Sequence, residues 1–453
     1  AFSRLSGDPL NEPLPARQPH VALRPSACPG LLRIVQALDG GICRIKLAGG
    51  ALTADQADAV ATAAERYASG VIEATNRGNL QIRGIQAERA GMIELLLAAG
   101  LGPRDAAGDD VRNLMLSPGA GVDRHMLFDA RPLAARVLQA LETTPRFHQL
   151  SAKFALQLDA GEGLAMLEHP HDLWLSALML DAQPWLAFGL AGSPALDSPL
   201  GAVPADQGFE LVVAVLDRFL DLAGPEQSRM RHLLCDVTPQ AFIDGLELPV
   251  RRDPAVLQWR RPTTECSHLG IYPQHQGGLS AFGGAPPLGR LTSTMLRGAA
   301  QLAREHGDGS LRMTPWQSLL LPNVAQSQLA SVAAGCARLG LLCSAAEPLA
   351  RVVACTGSAG CAKGLADTKA DAVHLSSLLA PGVPASVHLS GCSRSCAVAH
   401  VAPATLLART PGRYDLYLRD ARQAGFGALR ARDLTLEEAG ALLDARSRST
   451  LDD

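Results

Sequence analysis

Arg351-Val352-Val353-Ala354-Cys355-Thr356-Gly357-Ser358-Ala359-Gly360 lies in register over Arg112-Asn113-Leu114-Met115-Leu116-Ser117-Pro118-Gly119-Ala120-Gly121, 239 residues earlier, and that match decides the fold. Working backwards, Leu291-Thr292 answers Leu52-Thr53 at the same offset. Thr53 opens a helix with Gln56 as its capping-box partner, and Ala57, Val60, Ala61 and Ala64 recur on one face until Gly70 stops it. Its copy runs over 292–306 to Gly309. Strands expected over 71–75 and 79–83 return over 310–314 and 317–321. Helices over 87–99 and 326–339 end at Gly100-Leu101 and Gly340-Leu341. An offset held over about seventy residues marks a duplication, and so predicts two α+β halves related by a pseudo-two-fold axis.

The copies differ in their chemistry. Leu116 and Val122 stand where the later copy has Cys355 and Cys361, and a second pair follows in Gly391-Cys392-Ser393-Arg394-Ser395-Cys396. Four thiolates complete a [4Fe–4S] site, and Gly/Ser-rich turns let backbone N–H groups face its sulfurs. Structural zinc, the alternative along with a buried thiol pair, prefers roughly two to four residues between paired ligands, and a five-residue gap fits it poorly. Of the other cysteines, Cys43, Cys235, Cys266, Cys336 and Cys343 read as small buried hydrophobes, whereas Cys28 sits in the loop-like Cys28-Pro29-Gly30. The earlier copy instead offers cations at corresponding loops, Arg77, Arg112 and Lys153, placed at strand ends to grip a polyanion.

The chain has 453 residues, enough for two or three domains, and 41 basic against 44 acidic residues. That balance points away from nucleic acid and from acidic membranes. The prolines and charges of residues 1–20 do not read as a signal peptide, and the most apolar run, 173–190, is broken by Asp181, Gln183 and Pro184. A cytoplasmic protein is expected. Segments 193–208 and 248–288 read as irregular linkers, with a helix over 209–222 between them. Residues 414–418 read as an edge strand, and Thr435 and Glu438 cap a last helix. The division expected is an arm (1–27), a first half-domain (28–104), its α+β domain with the basic pocket (105–250), a linker with the second half-domain (251–345) and the cysteine-bearing α+β domain (346–453).

With its repeat and its Cys-x5-Cys and Cys-x3-Cys pairs, the chain resembles the sirohaem-dependent sulfite and nitrite reductases from about Cys28 onward. The resemblance implies a duplicated reductase fold with ferredoxin-like half-domains. It also implies a role for Cys396 in bridging cluster to sirohaem, and an anion pocket built from Thr75-Asn76-Arg77, Arg112-Asn113 and Lys153-Phe154-Ala155. The family's second pocket lysine is replaced by Ala155. The stretches Ala27-Cys28-Pro29-Gly30, Gly364-Leu365-Ala366-Asp367-Thr368-Lys369 and Arg413-Tyr414-Asp415-Leu416 look like one branch, the precorrin-3B synthases of aerobic cobalamin synthesis. That branch implies a monooxygenase that hydroxylates precorrin-3A with dioxygen and closes a lactone. Its cofactors would be a [4Fe–4S] cluster and a non-haem iron, with NADH as net reductant. No dinucleotide fingerprint follows a strand, so electrons are expected from a partner protein. Glu168, His169 and His171 form the densest candidate set for that iron, with His268, His388 and His400 as lone candidates; a polar loop is the plainer reading of 168–172. A sirohaem reductase, and a non-catalytic electron-transfer or tetrapyrrole-binding protein, are the other readings.

Overall fold

Thr53 closes a full capping box in the computed structural model, which describes residues 28–380, 386–420, 422–423 and 425–449. Its Oγ1 accepts from the Gln56 amide at 3.1 Å and the Gln56 side chain accepts from the Thr53 amide at 3.0 Å. The helix Ala54–Tyr67 follows. Its copy, Ser293–His306, begins 239 residues on (54 to 293), with Thr292 as cap. The same displacement carries strand Val71–Ala74 onto Ser310–Met313, and strand Gly40–Ile45 onto Leu279–Gly284. The alanine-rich faces of the two capped helices bury Ala57, Ala61 and Ala64 with Ala299, Ala300 and Ala303 in one core. On the rim, Arg304 reaches Asp55 and Asp58 at 2.6 Å and Arg297 reaches Glu65 at 2.7 Å.

The two expected half-domains are therefore joined through one core, and their sheets exchange strands. One antiparallel sheet runs Val35–Ala37, Gly40–Ile45, Leu80–Ile85, Val71–Ala74 and ends on Arg290–Thr292 from the later copy. The other runs Gly270–Pro273, Leu279–Gly284, Leu319–Ala325, Ser310–Met313 and ends on Ala51–Thr53 from the earlier copy. Each donated strand leads directly into a capped helix, so the exchange fixes both helices against the shared core.

Two further five-stranded sheets carry the rest. Leu114–Leu116, Leu156–Asp159 and His171–Leu180 are parallel neighbours, followed by antiparallel Gln183–Gly192 and Gly201–Pro204. Val352–Ala354, Val387–Ser390 and Ala404–Thr410 repeat the parallel part, followed by antiparallel Arg413–Leu418 and Ala428–Leu434. The apolar run at 173–190 is a hairpin whose turn places Asp181 and Ala182 at φ 51° and 59°, the left-handed pair that suits two twisted strands.

Four expectations need correction. Segment 193–208 contains the strand Gly201–Pro204, and 248–288 contains a full hairpin, Gly270–Pro273 with Leu279–Gly284. Glycines at 277, 278, 283 and 284 hide that hairpin's alternation. The strand Arg413–Leu418 is interior, not an edge, because Ala428–Leu434 covers it. Its buried Asp415 accepts the Asp433 amide at 3.0 Å and sits 3.6 Å and 3.7 Å from Arg409 and Arg432. Residues 168–172 are not simply a loop, since His171 and Asp172 open a buried strand. The arm over 1–27 lies outside the described residues.

At Gly50, φ is 70° and an added Cβ would stand 1.8 Å from the Met313 carbonyl oxygen. Its counterpart Gly289, at φ 74°, would meet only the flexible end of Gln317 at 2.8 Å. Urea unfolding should therefore show Gly50→Ala losing about 3 kcal/mol or more and Gly289→Ala about 1 kcal/mol. Equal losses would mean that the close backbone approach is not what demands glycine.

Candidate functional site

Cys355 follows strand Val352–Ala354 and Cys392 follows Val387–Ser390, two parallel neighbours paired through Ala354 and Leu389. Both cysteine pairs thus leave the same, C-terminal, end of a parallel sheet, where α/β folds place their ligands. The Gly391 amide donates to Cys355 Sγ at 3.2 Å, and Thr368 Oγ1 lies 3.5 Å from the same sulfur. Burial, then the neighbouring thiols of Cys355, Cys392 and Cys361, pushes Cys396 up to about 11. Burial also raises Cys392, with Cys355 and Cys361 adding to it. Cys392 and Cys396, held protonated by burial and by their neighbours, form with Cys355 and Cys361 a donor set that calls for a strongly cationic centre. Glycines let the loops close: a Cβ on Gly364 would stand 2.5 Å from Gly357 backbone, and one on Gly391 would stand 3.5 Å from Cys355 Sγ. The donor set and its glycine cradle fit an iron–sulfur cluster.

A buried carboxylate holds the Cys355–Cys361 loop in place. Glu73 lies 3.1 Å from Arg290, 3.6 Å from Arg83 and 3.8 Å from Lys369. Burial by itself would raise its pKa, but Lys369, Arg83 and Arg290 outweigh burial and hold the carboxyl below its usual range. Thr356 Oγ1 donates to it at 3.4 Å, Lys369 Nζ donates to the Ala354 carbonyl at 3.2 Å, and Arg83 donates to the Gly360 carbonyl at 3.4 Å. Both flanks of the cysteine loop are thereby tied to the shared core.

Arg77 rides the turn after strand Val71–Ala74, where Thr75 Oγ1 accepts from the amides of Arg77 and Asn79 at 3.3 Å and 3.0 Å. Asn76 Nδ2 donates to the Cys396 carbonyl at 3.3 Å, which brings this turn against the cysteine loop. Arg77 donates to His171 Nε2 at 3.4 Å, while His171 Nδ1 faces the His169 carbonyl at 2.9 Å. Burial, then Arg229 and Arg44, lowers Arg77 to about 10. Arg77 and Arg112 line one cleft together with Lys46, Asn113 and Glu142. Arg112 is already paired there, 3.5 Å from Asp109 and 3.7 Å from Glu142. Lys153 is half-buried on the loop whose carbonyls Asn113 clamps, and it does not line the cleft. The Ala155 amide donates to Asp172, which also holds Arg229 at 2.9 Å. Lys46 was missed by sequence reading. It shares a face with Arg44 two residues earlier, and its Nζ donates to the carbonyls of Asp109 and Asp110 at 2.7 Å and 2.9 Å.

Glu168, His169 and His171 do not form one ligand set. Glu168 pairs with Arg419 at 2.8 Å and His400 at 3.4 Å, and His171 is engaged by Arg77. Among the described residues no three His, Cys, Asp or Glu side chains gather as a single metal ion requires. Of the lone candidates, His268 meets Ser318 at 2.8 Å, His400 meets Glu168, and His388 is buried with both ring nitrogens unpartnered. Cys235, expected to be buried, is exposed. Arg33 donates to the Cys28 carbonyl at 3.3 Å.

The family model described as the nitrite/sulfite reductase ferredoxin-like half domain matches residues 35–99 and again 272–339. The model described as the nitrite and sulphite reductase 4Fe-4S domain matches 107–253, the copy without the four cysteines. Ferredoxin–nitrite reductase of Synechococcus elongatus is 30% identical over 81% of this chain and 76% of its own length. These matches define an iron–sulfur oxidoreductase fold, and the chain belongs to the nitrite and sulfite reductase family. Within that family a precorrin-3B synthase of Sinorhizobium sp is 26% identical over 88% of this chain and 84% of its own length. The solved structure of Mycobacterium tuberculosis NirA protein shares the fold, with a TM-score of 0.75 over 90% of this chain and 80% of that one at 23% identity. No helix among the described residues is long and apolar enough to cross a membrane.

Cys355→Ser, Cys361→Ser or Cys392→Ser should each lose iron and acid-labile sulfide, and Cys235→Ala should keep both. Unchanged iron and sulfide in the serine variants would remove these cysteines from any cluster. A second expectation concerns pH. Burial lowers Lys46 from the usual 10.5 to about 7, so between those values the unfolded chain holds a proton that the folded one has lost. Stability should therefore rise with pH from about 7 towards 10.5, and Lys46→Met should flatten the rise in urea midpoints.

Proposed function

We propose that the chain is a monooxygenase that converts precorrin-3A to precorrin-3B in aerobic cobalamin synthesis. Cys355, Cys361, Cys392 and Cys396 would hold a [4Fe–4S] cluster, and Arg77 would meet a carboxylate of the tetrapyrrole; Arg112, paired with two acids, and Lys153, off the cleft, are not assigned that role. The observation that carries this reading is the state of the basic pocket. Ala155, buried and tied by its amide to Asp172, leaves no lysine at that position, and Arg112 is neutralised by Asp109 and Glu142. Reduction of a small anion draws on several cations that stabilise charge and deliver protons. A tetrapyrrole bearing many carboxylates needs separated cations instead, and Arg77 presents a guanidinium beside the Cys396 loop with no ion pair among the described residues. The relationship to a precorrin-3B synthase over 84% of its length supports the same substrate class.

The cluster would supply one-electron transfer. The chain's own residues do the rest: Arg77 orients the macrocycle through a carboxylate, and the Asn76 contact to Cys396 keeps that carboxylate site beside the cysteine loop. In the overall reaction one atom of dioxygen enters the product and the other leaves as water, with two electrons from NADH reaching the chain through a partner protein in the cytoplasm. No residue is assigned to a non-haem iron, because Glu168, His169 and His171 do not fit one. The second reading is a sirohaem-dependent nitrite or sulfite reductase, favoured by the 30% identity to a ferredoxin–nitrite reductase.

With precorrin-3A, air and a reductant, product should carry one oxygen atom from labelled dioxygen and should not form under argon. Product formed equally well without dioxygen, or rapid turnover of sulfite or nitrite with a chemical donor, would favour the reductase.

A further inference from the structure

The 239-residue displacement that maps helix on helix also maps the Arg77 cleft onto a second cavity. That cavity lies between the later ferredoxin-like unit and the cysteine-bearing sheet. Lys46, Leu47, Arg77, Asn113 and Leu114 of the cleft correspond to Ala285, Pro286, Trp316, Val352 and Val353 of the cavity. In the later copy Ala285 stands where the earlier one has Lys46, and an indole stands in the place of the Arg77 guanidinium. Trp316 stacks on His268 with ring centroids 5.4 Å apart and planes 9° apart, which makes a flat aromatic platform. The cavity reaches Asn76, Ala397 and Val398, so its inner end abuts the Cys396 loop.

Elsewhere the lining holds polar groups that are unsatisfied. His169 and His400 line the cavity with ring centroids 5.0 Å apart, and Nδ1 of each has no hydrogen-bond partner among the described residues. His169 is 1% exposed. Close to them, His388 is equally buried with both nitrogens unpartnered, and so is the hydroxyl of its cross-strand neighbour Thr405. Native proteins retain few such groups unless something meets them. Burial, then the neighbouring His400 and Arg77, keeps His169 neutral, and burial lowers His388 to about 3. The histidines therefore offer neutral donors and acceptors. The cation among the lining residues, Arg419, is paired with Glu168 at 2.8 Å. Such a site penalises a polyanion and suits rings that stack on one side and hydrogen-bond along an edge.

We propose that this cavity is a second ligand site, taking a neutral planar heteroaromatic molecule with an amide- or imide-like edge. The rings lie on Trp316, and the edge meets His169 and His400. The proposal does not depend on the precorrin reading, since it concerns a different cavity and is tested by binding.

The probes are riboflavin, which is neutral and tricyclic, and uroporphyrin, which is a polyanion. The purified cluster-containing protein should quench riboflavin fluorescence saturably. Trp316→Ala and His169→Leu should each weaken this by about tenfold or more, while Trp316→Phe keeps most of it, which guards against simple misfolding. Uroporphyrin affinity should be the same in Trp316→Ala as in the parent. Riboflavin binding that is absent in the parent, or equal in parent, Trp316→Ala and His169→Leu, overturns the proposal. Uroporphyrin that displaces riboflavin competitively and loses affinity in Trp316→Ala overturns it too, by making this cavity the tetrapyrrole's own.

Discussion

The carboxylate of Glu73 is the constraint through which the rest of the molecule is joined. It comes from a strand of the earlier copy and is bound by Arg290 from the strand that the later copy donates. It also meets Lys369 and Thr356 of the cysteine-bearing domain. One buried acid thus neutralises cations from three parts of the chain. Taking such a group out of water is costly unless every partner is in place, so the arrangement tolerates little slack. The cysteine loop inherits that rigidity, because the partners of Glu73 also bind the carbonyls of Ala354 and Gly360 beside Cys355 and Cys361. The network fixes the loop through its backbone carbonyls and the Thr356 hydroxyl.

Much of the fold could be read from local signals. Thr53 and Thr292 announce their helices by caps, and Gly70, Gly100, Gly309 and Gly340 stop elements at positive φ, so the repeat was visible wherever turn chemistry was strong. The hairpin at 270–284 escaped because its glycines and prolines interrupt the alternation that marks a strand; its evidence is the pairing with Leu319–Ala325, a contact remote in sequence. The strand exchange escaped for a related reason. Donor strands of three residues carry no periodicity, and only the second copy shows where they go.

The spacing of the cysteine quartet is a local property and stands in the sequence itself. The charge state of the pocket does not. Arg112 looks like a free cation in sequence, yet Glu142, thirty residues further on, returns on a helix to pair with it. Lys46 looks like the end of a strand, and only the approach of the Asp109 and Asp110 carbonyls makes it a buried amine. In each case the missing information is which distant backbone comes near, and that is decided by packing.

The reciprocal strands have a consequence for ancestry. If the two copies once were separate chains, each would have paired its short strand with the other's sheet, as a symmetric dimer whose subunits could not fold apart. Such a dimer must carry every residue twice. A cysteine placed on one side appears on the other, and a guanidinium put at one cleft appears at both. Joining the copies into one chain lifts that rule, leaving Cys355 free to face Leu116 across the axis and Trp316 free to replace Arg77. The fused chain can be asymmetric in chemistry while remaining symmetric in shape, and four cysteines in one half beside an aromatic cavity are an arrangement the symmetric ancestor could not have held in single copy.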